Sequence, residues 1–153
     1  MVRESDNAAA DSIYAAVGSE GLERLAERAG MRSFEARPAW GNSTITAADQ
    51  ARYFHRLPAV IPPAHRGFAR RQLGGVVERQ RWGIPRARRG GWKVLFKGGW
   101  RPTPSGALVH QVARLEAPNG PHLALAILTD GNPSHHYGTD SVEGIAARLL
   151  GRG

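Results

Sequence analysis

The chain has 153 residues, 41% of them apolar, with 19 Gly, 10 Pro and no Cys. That length holds one ordinary domain, and the apolar share excludes a disordered chain. The missing cysteine excludes a disulfide scaffold and a thiolate metal site, and the net charge of +8 turns attention to anionic partners.

Ser5-Asp6-Asn7 precedes an alanine-rich helical pattern over 8–17, with Gly18 as its stop. Ile13, Ala16 and Val17 fall three and four apart and predict one apolar face. A second helix follows over 20–29, with Leu22 and Leu25 on its buried side and Gly30 at its end. Residues 31–43, with Pro38, Gly41 and Asn42, read as a loop. Thr46 with Asp49 three residues on is a capping-box signal for a helix through Leu57, ended by Pro58, Pro62 and Pro63. A helical pattern resumes over 64–80, with Phe68, Leu73, Val76 and Val77 as core candidates and Gly74-Gly75 as a break or bend. Residues 86–91 form a basic turn.

The pattern then changes period. Residues 92–97 read as a strand closed by Gly98-Gly99, and 107–115 and 122–128 as two more. Pro118-Asn119-Gly120 makes those last two an antiparallel hairpin. Residues 131–138 read as a loop and 139–150 as an amphipathic terminal helix. Helices, an antiparallel meander and a closing helix imply an α+β fold, an antiparallel sheet of about three strands flanked by helices. The expected organisation is one domain over 1–153, mainly helical through 91, then strands and the last helix. No apolar run approaches the ~18 residues of a membrane span, and the first ten residues lack the apolar core of a signal peptide.

Two short segments carry candidate chemistry together. Ser5-Asp6-Asn7 stands at a helix start and Lys97-Gly98-Gly99 at a strand end. Alone, the first is an ordinary helix cap and the second a charged residue before a turn. Together they offer a hydroxyl that relays a proton beside an ammonium that stabilises developing negative charge. A side-chain amide next to them can hydrogen-bond a substrate amide, and the glycines let a substrate lie along the strand. Lysine is scarce here, only Lys93 and Lys97, which makes each one informative.

These segments, in this order, resemble the serine β-lactamase and penicillin-binding protein superfamily, and its class A β-lactamase-like hydrolases most closely. The resemblance runs through Glu4-Ser5-Asp6-Asn7-Ala8-Ala9, Gln80-Arg81-Trp82-Gly83-Ile84-Pro85, Lys97-Gly98-Gly99-Trp100 and Leu128-Thr129-Asp130. The superfamily's motifs are Ser-x-x-Lys, Ser-Asp-Asn and Lys-Thr-Gly. By that resemblance Ser5 relays protons, and Lys97 hydrogen-bonds Ser5 and attracts a substrate carboxylate. Asn7 contacts the substrate, Asp6 holds the loop, and Gly98, Gly99 and Trp100 line the cleft. It implies a β-lactam or peptide-like substrate, no cofactor, no metal and an acyl-enzyme mechanism. The superfamily works mostly outside the cytoplasm; the compartment of this chain stays open.

The sequence also departs from that pattern. None of Ser5, Ser12, Ser19, Ser33, Ser43, Ser105, Ser134 and Ser141 has Lys three residues later, so the chain reads as the C-terminal part of such a domain, without its nucleophile. Two consequences are expected: residues 122–128 become an exposed sheet edge open to self-association, and Ser5 sits near a fraying terminus. Gly98 replaces a hydroxyl residue, leaving Arg101 or Arg114 as the candidate anion partner. Glu35 is the only carboxylate in the 31–45 stretch, without the Glu-x-x-Leu-Asn context of the water-activating class A residue.

Other readings stay open beside this one. A non-catalytic module would keep the cleft for a cell-wall peptide or a partner protein. A nucleic-acid binder rests on the arginines between Arg66 and Arg101, which otherwise read as a solvated basic face, and it is not expected without interleaved aromatics. His135-His136 beside Asp130 and Asp140 is a poor metal pair, because adjacent residues of an extended loop rarely chelate one ion. His110 reads as structural. No Gly-x-Ser-x-Gly elbow or phosphate-binding loop is present.

Overall fold

A computed structural model describes residues 1–151 of the chain. Helix α1 (Asn7–Ala29) begins under Asp6, whose carboxylate accepts the Ala9 N–H at 3.0 Å. It is two helices joined at a kink, because Gly18 takes a non-helical φ of 68° and ψ of 175°. The expected stop at Gly18 is therefore real, but the chain restarts at once. The apolar face expected from Ile13 and Val17 is not buried: they stay 49% and 42% exposed. Ala26 and Ala29, near the end of α1, carry its burial instead.

Residues 31–43 are irregular except for a 3-10 turn at Trp40–Asn42, and Glu35 pairs with Thr44 in an isolated bridge. Helix α2 (Ala47–Val60) starts where the capping signal placed it, with Thr46 Oγ1 accepting the Asp49 N–H at 3.1 Å. Pro58 does not end it. The helix continues to Val60, because Leu57 and Val60 are both buried and the Ile61 N–H closes the last turn on Leu57 O.

Helix α3 (Pro63–Gly74) has proline in its first turn. The glycine pair ends it outright rather than bending it, so no helix spans 64–80; a 3-10 turn follows at Glu78–Gln80. Phe68 is 59% exposed, not a core residue, whereas Val76 is buried. Within the expected basic turn, Arg86 and Ala87 belong to a short helix α4 (Ile84–Ala87).

Strands β1 (Lys93–Thr103), β2 (Gly106–Glu116) and β3 (His122–Asn132) form one antiparallel sheet in the order β1-β2-β3. Gly98-Gly99 do not close β1: they pair with Gln111 and His110 and the strand runs on to Thr103. Ladder bonds along a full neighbouring strand outweigh the local tendency of two glycines to break it. Helix α5 (His135–Leu149) starts four residues earlier than expected, because the Ser134 hydroxyl caps it by accepting the Tyr137 N–H. The stretch 131–138 is thus only partly a loop.

Alternation along the strands gives the sheet two faces. One carries Val94, Phe96, Val109, Ala113, Leu115 and Ile127, packed on Ile84 of α4 and on Val142 and Ala146 of α5. Burying each large side chain there stabilises the fold by roughly 1.5–3 kcal/mol. The other face carries Arg114 and Glu116 and meets α2 and α3. Glu116 accepts a forked pair of bonds from Arg70 of α3, at 2.8 and 2.6 Å, and a third from Arg114 at 2.9 Å. The remaining reach of Arg114 goes to His55 O of α2. Arg114 is therefore a buried structural cation tying α2 to the sheet, not the anion partner expected from the sequence. Among the described residues β3 pairs only with β2, leaving its other edge open.

Candidate active site

The outer strand β1 brings Lys97 against the segment that precedes α1. Lys97 Nζ donates to Ser5 Oγ at 2.5 Å, across 92 positions of sequence, and also to Gly98 O. The Ser5 hydroxyl in turn donates to Gln80 Oε1 at 2.7 Å. Gln80 is buried and its amide nitrogen donates to Glu4 O, so it grips both Ser5 and the residue before it. With its proton turned to Gln80, the Ser5 oxygen presents its lone pairs to the ammonium, which is the geometry a proton relay needs.

Ser5 has a φ of 55°, uncommon for a residue with a side chain. Its neighbours hold it there. The Arg3 guanidinium donates to Gly75 O, the Val77 N–H donates to Arg3 O, and Arg79 pairs with Glu4 at 2.7 Å. The expectation of a fraying terminus at Ser5 is thus replaced by a segment pinned by these three contacts as well as by Gln80.

Lys97 is held below the ordinary lysine range because burial disfavours its charged form. Asp6 is occupied as the cap of α1. Asn7 is the exposed first residue of α1, two positions beyond Ser5, and it makes no side-chain hydrogen bond among the described residues. Gly99 is exposed on the strand edge.

An aromatic cluster borders this pair. Trp100 packs on Trp82 with ring centroids 6.1 Å apart and on His135 at 5.4 Å, and Lys97 Nζ lies 5.9 Å from the Trp100 ring centre. A Cβ at position 98 would lie only 3.0 Å from Cζ2 of Trp82.

Sequence reasoning missed Gln80 as a holder of Ser5. The signal lay in Gln80-Arg81-Trp82, where an uncharged amide sits between two arginines, but nothing local showed what it faces. Other candidates fall away from the pair. Arg101 donates to Asn42 Oδ1, and Glu35 is an exposed partner of Arg37. His135 and His136 lie in the first turn of α5 rather than in a loop, and His136 pairs with Asp140 at 3.6 Å. No cluster of three His, Asp or Glu side chains able to hold a metal occurs among the described residues.

A hydroxyl and a partly desolvated ammonium thus meet where a helix start comes against an outer strand of the antiparallel sheet. The chain belongs to the beta-lactamase enzyme family, whose model matches residues 1–152. No curated protein matches the chain. Among solved structures it is similar to a beta lactamase from Burkholderia vietnamiensis, with TM-score 0.83, 18% identity, and coverage of 98% of this chain and 59% of that one. A class A beta-lactamase from Mycobacterium abscessus gives 0.81 at 18% identity, with 97% and 60% covered. A beta lactamase from Xanthomonas campestris gives 0.80 at 19% identity, with 98% and 60% covered. The fold is therefore that of a β-lactamase, and the chain spans about three fifths of the length of those proteins.

Proposed function

We propose that this chain is the Ser-Asp-Asn and Lys-Gly-Gly portion of a β-lactamase-like serine hydrolase acting on a β-lactam or a related amide. The observation that carries the reading is the 2.5 Å bond between Lys97 Nζ and Ser5 Oγ, with Gln80 fixing the hydroxyl from its far side. In the complete protein the oxygen of a serine in a Ser-x-x-Lys segment bonds to the acyl carbon as the C–N bond breaks. Ser5 and Lys97 pass a proton to the leaving nitrogen. Water then cleaves the resulting ester and restores the serine hydroxyl. Asn7 binds the substrate amide, Asp6 holds the turn, and the backbone of Gly98, Gly99 and Trp100 lines the cleft.

This chain has no Ser-x-x-Lys, so by itself it turns nothing over. The test is nitrocefin hydrolysis together with fluorescent-penicillin labelling of the purified chain. The expected result is neither hydrolysis nor label, with activity appearing when the same reading frame is extended upstream through a Ser-x-x-Lys segment. A stoichiometric adduct on any serine of the present chain would overturn the reading. A second reading, a non-catalytic module that binds a peptide-like ligand, is favoured by the same missing segment; saturable binding that persists in the extended protein without acylation would establish it.

A further inference from the structure

The start of β1 and the end of α3 border a cleft of about 400 Å³. Neither Ser5 nor Lys97 lines it, and Lys93 stands about 13 Å back along the strand from Lys97. Five cationic side chains line the cleft, and no carboxylate does. Arg70 and Arg71 come from α3, Arg81 from the turn before α4, Arg88 from the residue after α4, and Lys93 from β1. The half-buried Trp92 adds an apolar wall.

A run of charge is usually a solvated face. Two features set this one apart. The first is charge balance. Glu116 engages Arg70 and is shared with Arg114, and the exposed Glu78 lies 3.8 Å from Arg81. Arg71 and Lys93 meet no carboxylate among the described residues. The second is preorganisation. Arg81 donates to Gly74 O and Val76 O, Arg88 donates to Pro85 O, and the Glu116 fork holds Arg70. Side chains already placed lose less rotamer freedom when an anion arrives.

The cations reach the cleft from separate elements, so they suit oxygens spread in three dimensions. A carboxylate offers two oxygens in one plane, whereas a pyrophosphate offers two linked tetrahedra to several charge-assisted bonds. The volume falls in the roughly 300–1,000 Å³ range of small-ligand pockets.

We propose that this cleft binds a pyrophosphate group, free or carried by a nucleoside diphosphate, with Arg71 and Lys93 as its main partners. The proposal does not depend on the hydrolase reading. Its test is calorimetric titration of the full chain at neutral pH and fixed ionic strength, using inorganic pyrophosphate, citrate and ADP.

Pyrophosphate should saturate one site and bind at least about fivefold more tightly than citrate, a polycarboxylate. Arg71→Gln combined with Lys93→Gln should weaken pyrophosphate at least about tenfold. Its Tm should stay unchanged, because neither side chain makes a hydrogen bond among the described residues. Arg24→Gln combined with Arg37→Gln removes the same charge outside the cleft, and should change the affinity less than about twofold. ADP binding more tightly than pyrophosphate, with the gain lost in Trp92→Leu, identifies the nucleoside diphosphate as the source. ADP binding no more tightly identifies the free anion. Citrate binding as tightly as pyrophosphate, equal losses in the two double variants, or a single-stranded oligonucleotide that pyrophosphate cannot displace would each overturn the proposal.

Discussion

Gln80 is a side chain whose work shows only in three dimensions. It receives the Ser5 proton and donates to Glu4 O from a buried position. Gln80→Ala removes one partner from each, and its expected cost is about 1–3 kcal/mol by chemical denaturation. Glu116 sets a second residue-scale expectation. The Arg70 fork above all, with help from Arg114 and against the opposing effect of burial, holds its carboxyl at about 2. A carboxyl lowered from 4.5 contributes stability that is present above pH 4.5 and is lost as pH falls through 2. With Arg70 part-exposed to solvent, that contribution is roughly 2–3 kcal/mol. Denaturation midpoints at pH 6 and pH 3 should differ more in the native chain than in Glu116→Gln. Glu116→Ala should cost about 3–5 kcal/mol at pH 7, because it strands Arg114 in the interior.

Among the elements, most boundaries were legible wherever a cap or a turn fixes them chemically. Asp6, Thr46 and the Asn119-Gly120 turn are such places, and the structure forms each feature there. Boundaries read from breakers alone held at Gly18 and Gly30 and were displaced elsewhere. Pro58 sits inside α2 and Gly98-Gly99 inside β1, because burial of Val60 and pairing with β2 override the local preference. The meeting of Ser5 and Lys97 could be reached only through the resemblance of motifs, and the part of Gln80 was not reached at all. Local chemistry says nothing about partners 75 and 92 positions apart. The apolar spacing in α1 was legible as a stripe, but spacing does not say what covers it: Ile13 and Val17 stay 49% and 42% exposed. Ile13→Ser and Val17→Ser should therefore change stability by less than about 0.5 kcal/mol in this chain. A loss of 2 kcal/mol or more in thermal or urea unfolding would show those side chains to be covered.

At the scale of the whole molecule, the charge of +8 is partly internal. Arg70 and Arg114 hold Glu116 and His55 O, so arginine here fastens helices to the sheet as well as giving the surface its sign. No described helix is long and apolar enough to cross a membrane. The open edge of β3 is a row of backbone groups ready to pair. Sedimentation over a concentration series should show reversible self-association, and a monomer at every concentration would argue that the edge is protected. The fold matches β-lactamases along nearly all of this chain and about three fifths of theirs.

The most direct measurement is a 13C-detected pH titration of the two lysines, with Lys97 assigned by a Lys93→Arg variant. Lys97 should titrate below the ordinary lysine value, and Ser5→Ala should lower it further, because the ammonium loses an acceptor that favours its charged form. A Lys97 midpoint at the ordinary lysine value, unmoved by Ser5→Ala, would contradict the pairing on which the site is built.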